Sequence, residues 1–225
     1  MIETVTSDLA TLKNKSGKPA KVLVTGATGY IGGRLIRELL SHDYKVRVLV
    51  RDPQRITDYP WQKNVEVVVG DATDPAVLAQ ALEGVDLAYY LLHALMVDKD
   101  FELMERQLAE VFGRVAKEKN VSRIIYLGGM ISNDFELSPH MSAREETGEI
   151  LRGSGVPTIE LRAGVVIGSG SASFEMLRPL TERLPFMVTP KWLLNTIKPI
   201  AIWDVLRCLV GSVSPDKKLK QDVDT

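Results

Sequence analysis

A glycine-rich turn between a predicted strand and a predicted helix limits the folds available to this chain. The segment VLVTGATGYIGGRLIREL, residues 22–39, runs from a β-branched stretch through spaced glycines into a pattern of helical period. Gly26, Gly29 and Gly32 follow one another at intervals of three. In a strand–turn–helix context, the first glycine makes a tight turn, the second lets a ligand approach the backbone, and the third lets the helix pack on the strand.

The start of the predicted helix offers backbone N–H groups without helical partners and a partial positive charge. A pyrophosphate is the natural occupant of such a position. The alternative is a glycine-rich turn that binds nothing. We therefore predict a dinucleotide site formed by the turn and the residues that open the helix, namely Thr25, Gly26, Thr28, Gly29, Tyr30, Ile31 and Gly32.

Short apolar segments alternate with longer segments of helical period along most of the chain. The short segments are apolar almost throughout, as expected for parallel strands covered on both faces. They are residues 21–25, 45–50, 65–69, 87–91, 123–127 and 158–162. This alternation predicts an α/β fold with a doubly wound parallel sheet.

Three of the predicted helices carry clear signals. Residues 101–120 have an apolar stripe at helical spacing, with a stop at Asn120. Asp74 is placed to cap a short helix that begins at Pro75. Asp204 is expected to cap the last one.

The chain is long enough for one sizeable domain, with 225 residues of which 45% are hydrophobic. We expect residues 1–20 to form a polar, poorly ordered leader and residues 21–215 to form a single domain. Within it, residues 163–212 are expected to form the substrate cleft over the strand ends. Residues 216–225 are expected to be a tail.

Composition excludes several classes of protein. The formal net charge of −1 gives no reason to expect a nucleic acid as partner. The apolar runs fall short of the roughly 20 residues that span a bilayer. A single cysteine, Cys208, is compatible with a reducing, cytoplasmic location. The histidines show no metal-ligand spacing, so we predict no metal site.

The end of the second predicted strand bears on the choice of dinucleotide. It reads VLVRDP, so that Arg51 precedes Asp52. A guanidinium suits a 2′-phosphate, which favours NADP(H) over NAD(H), and Arg34 is a second candidate cation. In the alternative interpretation, Arg51 is a solvated charge and Asp52 binds the ribose of NAD.

Two further short motifs follow predicted strands. In GDATD, Asp71 is placed to reach an adenine edge and Ala72 leaves room for the ring, although the same loop could simply cap the next helix. In YYLLHAL, Leu92 and His93 follow the fourth strand, where the cofactor crevice of such a sheet lies. A buried structural imidazole is the alternative for His93.

The chain resembles the atypical and extended short-chain dehydrogenase/reductase superfamily, and its NmrA-like bacterial members in particular. The stretches that carry the resemblance are VTGATGYIGGRL, LVRDP, GDATD, VSRIIYLGG, YYLLHAL and LRAGVVIGSGSASFEMLRPLTERLPFMVTP. The resemblance implies a Rossmann-like sheet of six or seven strands, an NAD(P) cofactor across the strand ends, and an unidentified small-molecule substrate. In one similar branch a polyketide-cyclase-like domain follows, and this chain ends where that domain would begin.

Reductases of this superfamily use a Tyr-x-x-x-Lys pair and a serine or threonine after the fifth strand. In the matching segment, His140 stands in the tyrosine position and Arg144 in the lysine position, while Gly128 and Gly129 occupy the serine position. His140 can titrate near neutral pH. Arg144 stays charged, so it can hold a ribose or an anion but cannot shuttle a proton.

The resemblance therefore leaves two functions open. One is an NADP(H)-dependent oxidoreductase, or an epimerase or dehydratase that uses bound nicotinamide transiently. In that case His140, with His93, would transfer protons, and Arg144 would position the ribose. The other is a dinucleotide-binding redox sensor, regulator or assembly factor without turnover.

Overall fold

The computed structural model describes the chain in several stretches. They are residues 10–93, 101–130, 138–171, 175, 178, 198–213 and 222–224. Much of the predicted cleft segment 163–212 and most of the predicted tail 216–225 lie outside this described part.

The described residues form a sheet with helices on both faces. The strands are β1 (Lys21–Val24), β2 (Lys45–Val50), β3 (Glu66–Val69), β4 (Leu87–Tyr90), β5 (Arg123–Gly129), β6 (Thr158–Ala163), β7 (Val166–Ile167), β8 (Ile200–Ala201) and β9 (Asp222–Asp224). The helices are α1 (Tyr30–Ser41), α2 (Pro75–Leu82), α3 (Phe101–Glu118), α4 (Pro139–Gly153) and α5 (Ile202–Gly211). Two short 3₁₀ turns, Pro53–Ile56 and Gln62–Asn64, occupy the connection from β2 to β3.

Seven strands make one parallel sheet in the order β3-β2-β1-β4-β5-β6-β9. The chain crosses from β3 back past β1 to β4, so the direction of strand addition reverses between β1 and β4. All six predicted strands are present, which confirms the doubly wound Rossmann-like α/β prediction. In open sheets of this kind, ligands bind at the carboxyl ends of the strands beside such a reversal.

Alternate residues of strands β1, β2, β4 and β5 enter two separate hydrophobic layers. In β1, Val22 and Val24 face the layer under α1 and α5, whereas Leu23 faces the layer under α2, α3 and α4. Tyr89 and Tyr90 divide between the two layers in the same way, and both are fully buried. Burial on both faces explains why the strand sequences are continuously apolar.

Of the three residues predicted to begin or end helices, two are confirmed and one is wrong. The Asp74 carboxylate accepts the Ala76 N–H at 2.8 Å and caps α2. Asn120 ends α3 with a positive φ of 58°. Asp204 does not cap α5, because that helix begins two residues earlier, at Ile202, after Ala201.

Residues near both ends of the described part contact the rest of the domain. Thr11 donates a hydrogen bond to the His42 carbonyl, and the Leu12 N–H bonds to the Tyr44 hydroxyl. Residues 222–224 add β9 to the sheet beside β6. α5 covers the sheet face next to α1, because its apolar side packs into that core layer.

Candidate functional site

The glycine turn brings β1, β4 and α1 into close contact. Gly26 has a φ of +69°, and a Cβ there would lie 2.4 Å from the Leu91 carbonyl oxygen just beyond β4. A Cβ on Gly32 would lie 2.3 Å from the Gly26 carbonyl oxygen. Side chains are therefore excluded at both positions, and α1 starts directly against the ends of two strands.

The amino terminus of α1 is open. The first helical hydrogen bond joins the Gly33 N–H to the Gly29 carbonyl, at 3.1 Å. The N–H groups of Tyr30, Ile31 and Gly32 precede that bond, and no side chain caps the helix at Gly29, which is exposed. Unpartnered amides at a helix start fit a phosphate group, so the residues here suit the pyrophosphate of a dinucleotide.

Two aromatic residues that the sequence analysis did not single out hold this helix start in place. The Tyr59 hydroxyl donates to the Thr28 carbonyl at 3.2 Å, and the Trp61 indole N–H donates to the Gly33 carbonyl at 3.1 Å. The two rings lie 4.7 Å apart between centroids. The sequence feature that could have indicated them is the aromatic run DYPW, residues 58–61, in a β2–β3 connection that contains no α-helix.

Thr25 is buried in the structure and does not line open space at the helix start. Its side chain is fully buried, and its hydroxyl donates to the Tyr89 carbonyl at 2.8 Å and accepts the Leu91 N–H at 3.0 Å. These bonds join β1 to β4 where the strand order reverses. Thr25 therefore shapes the crevice through the backbone around it.

The ends of β2 and β3 carry the residues expected near the adenosine. Arg51 is exposed, while the Asp52 carboxylate accepts the Gln54 N–H at 2.9 Å and caps a 3₁₀ turn. Asp71 accepts both the N–H and the hydroxyl of Thr73, each at 2.8 Å. The Thr73 backbone bond, with a smaller contribution from the nearby Arg51 charge, lowers the pKa of Asp71. Arg51 and Asp71 thus face the same region.

Ala72 and Arg34 complete that side of the site. Ala72 is buried, so the GDATD loop is packed against the domain at this point. Arg34 lies over the Tyr30 ring, 4.0 Å from its centroid, and donates to the Tyr30 and Ser169 carbonyls at 3.0 Å each. It therefore ties α1 to the loop after β7.

The ends of β4 and β5 bring a second group of residues together. The Arg144 Nη2 atom lies 3.2 Å from His93 Nε2 and donates to the Leu127 carbonyl at 3.1 Å. An arginine can only donate, so His93 Nε2 accepts and the neutral ring carries its proton on Nδ1. Leu92, the neighbour of His93, is half-buried and packs against the α2–α4 layer.

His140 joins this group from the first turn of α4, one helical turn before Arg144. The Ser138 hydroxyl caps the helix by accepting the Met141 N–H, and Pro139 occupies the first position. His140 Nδ1 is shielded from solvent and lacks a hydrogen-bond partner. Three residues singled out from the sequence, on two different elements, thus form one cluster.

Both histidines are driven toward their neutral form. The pKa of His93 lies well below its ordinary value because protein atoms crowd the ring and the charge of Arg144 faces it, with His140 adding to the effect. Part of the His93 surface is still exposed to solvent. Desolvation and then Arg144 also lower the pKa of His140. Arg144 is therefore the charged member of the cluster.

The backbone of α4 is anchored to the sheet on the same side. The Tyr126 hydroxyl, whose pKa burial raises to about 12, donates to the Arg144 carbonyl at 2.9 Å. Deeper along the helix, the buried Glu160 carboxylate forms ion pairs with Arg152 and Arg162. Gly148 lies against this carboxylate, where a Cβ would be 2.7 Å from Oε2. These contacts fix where α4 places its first two turns.

A doubly wound sheet with an uncapped helix start at its glycine turn defines a Rossmann-type dinucleotide-binding protein. A family model described as NAD(P)H-binding matches residues 26–170, which is more than half of the chain. The chain belongs to this NAD(P)H-binding family, and its fold is that of the short-chain dehydrogenase/reductase proteins.

Several of the named relatives are reductases or dehydrogenases. A ceramide reductase from Caulobacter vibrioides is 25% identical over 171 residues, covering 74% of this chain and 52% of that protein. A (4-alkanoyl-5-oxo-2,5-dihydrofuran-3-yl)methyl phosphate reductase from Streptomyces griseus is 32% identical over 137 residues, covering 60% of this chain and 44% of that protein. The chain thus spans about half the length of these relatives.

Solved structures share the fold. The Bordetella bronchiseptica enzyme WbmG in complex with NAD superposes with a TM-score of 0.73 over 92% of this chain and 72% of that one, at 16% identity. A Citrobacter triphenylmethane reductase complexed with NADP(H) gives 0.59 over 72% and 55%, at 24% identity. Among the residues described, no helix has the length and apolar character needed to cross a membrane.

Proposed function

We propose that this chain is an NADP(H)-dependent oxidoreductase of the atypical, NmrA-like short-chain type, working without a Tyr-x-x-x-Lys pair. The observation that carries the proposal is the open amino terminus of α1, in a family whose members bind NAD(P)H. The pyrophosphate would lie against the amides of Tyr30, Ile31 and Gly32, next to the exposed Gly29.

NADP is the proposed dinucleotide because of the charge at the ends of β2 and β3. Arg51 is exposed and has no carboxylate within ion-pair distance among the described residues, so its guanidinium is available to a 2′-phosphate. Asp52, the residue that would favour the NAD ribose, is already engaged as a cap. Asp71 and the packed Ala72 are the proposed adenine neighbours.

The cluster of His93, His140 and Arg144 is the proposed chemical site. The bound dinucleotide would donate or accept a hydride on this side of the crevice, since its two halves lie on opposite sides of the β1–β4 reversal. Arg144 would hold ribose oxygen or negative charge. His140, whose Nδ1 is shielded and without a partner, would hydrogen-bond to the substrate there.

Two measurements test this function. Titration calorimetry with NADPH and with NADH should give binding to both and tighter binding of NADPH, and Gly29→Val should abolish both by filling the space at the helix start. NADPH oxidation should then be followed with a panel of aldehydes, ketones and quinones. Tight binding without turnover of any acceptor would favour the sensor or assembly role, and no binding at all would refute both.

A further inference from the structure

Arg144, on α4, extends its charged side chain to the ends of β4 and β5, where it has few polar partners among the described residues. Its Nη2 atom bonds to a neutral imidazole and to a carbonyl, and its Nε atom is shielded from solvent without a hydrogen-bond partner. Within the described ranges, no carboxylate lies within the 4.0 Å ion-pair distance of Arg144. The cluster therefore holds a permanent positive charge that no described side chain neutralises.

This charge is also held in a fixed place. The Leu127 carbonyl orients the guanidinium from β5, and the Tyr126 hydroxyl bonds to the backbone of Arg144 itself. Gly129, at the end of β5, lies beside the same side chain, and a Cβ there would be at ordinary contact distance, 3.7 Å, from Arg144 Nε. A donor that is oriented before the reaction stabilises developing negative charge without reorganisation.

The neighbouring histidines are poor proton donors. His93 uses Nε2 to accept from Arg144, and burial, followed by the guanidinium charge, disfavours a positive charge on His93 or His140. Reduction of a simple ketone produces an alkoxide, which is strongly basic and needs an acid beside it. The described part of the cluster offers a fixed positive charge in that place instead of an acid.

Resting on the proposed function, we infer that the reductive substrates of this site are conjugated carbonyl compounds, such as enones and quinones, whose reduction product is a resonance-stabilised oxyanion bound by Arg144. A bound reduced nicotinamide would supply the hydride that adds to the conjugated system and would be oxidised in doing so, while the electron pair of the broken π bond would move to the oxygen beside Arg144. The oxyanion takes its proton afterwards from water.

The binding part of this inference can be measured without turnover. 4-Nitrophenol is a phenol whose ionised form is coloured, so its pKa can be read from absorbance in a solution of protein saturated with NADP⁺. The parent protein should lower that pKa and bind the phenolate. Arg144→Gln should remove the shift and weaken phenolate binding about tenfold to a hundredfold, as expected for loss of a charge-assisted hydrogen bond.

Two further variants separate charge from folding. Arg144→Lys keeps the positive charge and should retain part of the shift. Arg106→Gln removes a half-exposed arginine that pairs with Glu146 between α3 and α4, and it should behave like the parent. A shift that is absent in the parent, or that survives in folded Arg144→Gln, overturns the inference while leaving the proposed function standing.

Kinetics supply the second arm. NADPH consumption should be at least about tenfold faster, in kcat/KM after subtraction of the uncatalysed rate, with 1,4-naphthoquinone than with α-tetralone, an isolated aryl ketone of similar size. Equal rates for the two acceptors overturn the inference alone. Failure to bind NADP⁺, or turnover of neither acceptor, overturns the proposed function and the inference with it.

Discussion

The two sides of the crevice offer different kinds of chemical group to the dinucleotide. On the β1–β3 side, the proposed contacts to the dinucleotide are backbone amides at the start of α1, supported by glycines that let strands and helix meet. On the β4–β6 side, they are the side chains of His93, His140 and Arg144. A backbone site depends on where the chain turns, whereas a side-chain site depends on which residues the fold brings together.

The two sides of the domain also differ in the solvent exposure of a carboxylate that pairs with two cations. Glu66 pairs with Lys21 and Arg47 on the β1–β3 side, with its side chain 53% exposed. Glu160 pairs with Arg152 and Arg162 on the other side, with its side chain 3% exposed. Solvent screens the first group, but removing a partner from the second leaves buried charge.

The largest expected effect tests the role of the glycines on the backbone side. Gly32→Ala should destabilise the domain by about 3 kcal/mol, because the new Cβ would meet backbone that cannot move aside. Gly29→Ala, whose Cβ would lie 3.1 Å from the Gly26 carbonyl and otherwise point to open space, should cost at most about 1 kcal/mol. Urea unfolding measures both, and equal losses would contradict this division of roles.

The next effect compares the two carboxylates. Glu160→Gln should destabilise the domain by about 2 kcal/mol, less than for a fully buried pair because Arg152 and Arg162 are partly exposed. Glu66→Gln should change stability by about 0.5 kcal/mol. Unfolding curves at low and high salt would separate them, since only the exposed group should respond to salt. A salt-sensitive Glu160 would break the contrast.

A third effect concerns dinucleotide choice. Arg51→Ala should weaken NADPH binding about tenfold, the loss of one charge-assisted contact, and leave NADH binding unchanged. The matched control is Arg55→Ala, which removes an exposed arginine from the adjacent 3₁₀ turn. Calorimetry with both nucleotides reads the difference. Equal affinities of the parent protein for NADPH and NADH would end the preference for NADP.

The smallest expected effect is a pH dependence of stability that arises from His93, on the side of the crevice formed by side chains. The pKa of His93 is lower in the folded protein than in the unfolded chain. Below the unfolded pKa of about 6.5, the unfolded chain therefore binds more protons than the folded protein. The free energy of unfolding falls as the pH drops from about 6.5 toward the pKa of His93 in the folded protein. His93→Gln should remove part of this loss, making the fall in Tm between pH 7 and pH 5 smaller by about 2 °C. Thermal melts at both pH values measure it, and an identical fall in both proteins would show that His93 is not the titrating group.

Local sequence predicted the sheet and the glycine turn with small errors. β2 has the predicted bounds, and β1, β3 and β4 differ from theirs by one residue at one end. These features follow from short-range causes, namely apolar continuity, glycine conformation and capping. Asp204 failed as a cap because Ile202 already packs into the core beneath α1, so tertiary burial moved the helix start.

Contacts between residues far apart in the sequence could be identified only from the structure. Tyr59 and Trp61 are 31 and 28 residues from the carbonyls they bind, and no local pattern assigns those partners. The same holds for Arg34, whose sequence position suggested a phosphate contact and whose guanidinium bonds instead to Ser169, 135 residues away.

The sequence by itself determined the order of strands and helices, the backbone turn at the glycines, and the residue types available for chemistry. The tertiary structure alone decided that His93, at the end of β4, lies 3.2 Å from Arg144, on α4, with a separation of 51 residues. The reason is that a residue's protonation state and partners depend on through-space burial and charge, which are properties of the packed sheet edge and not of neighbouring positions along the chain.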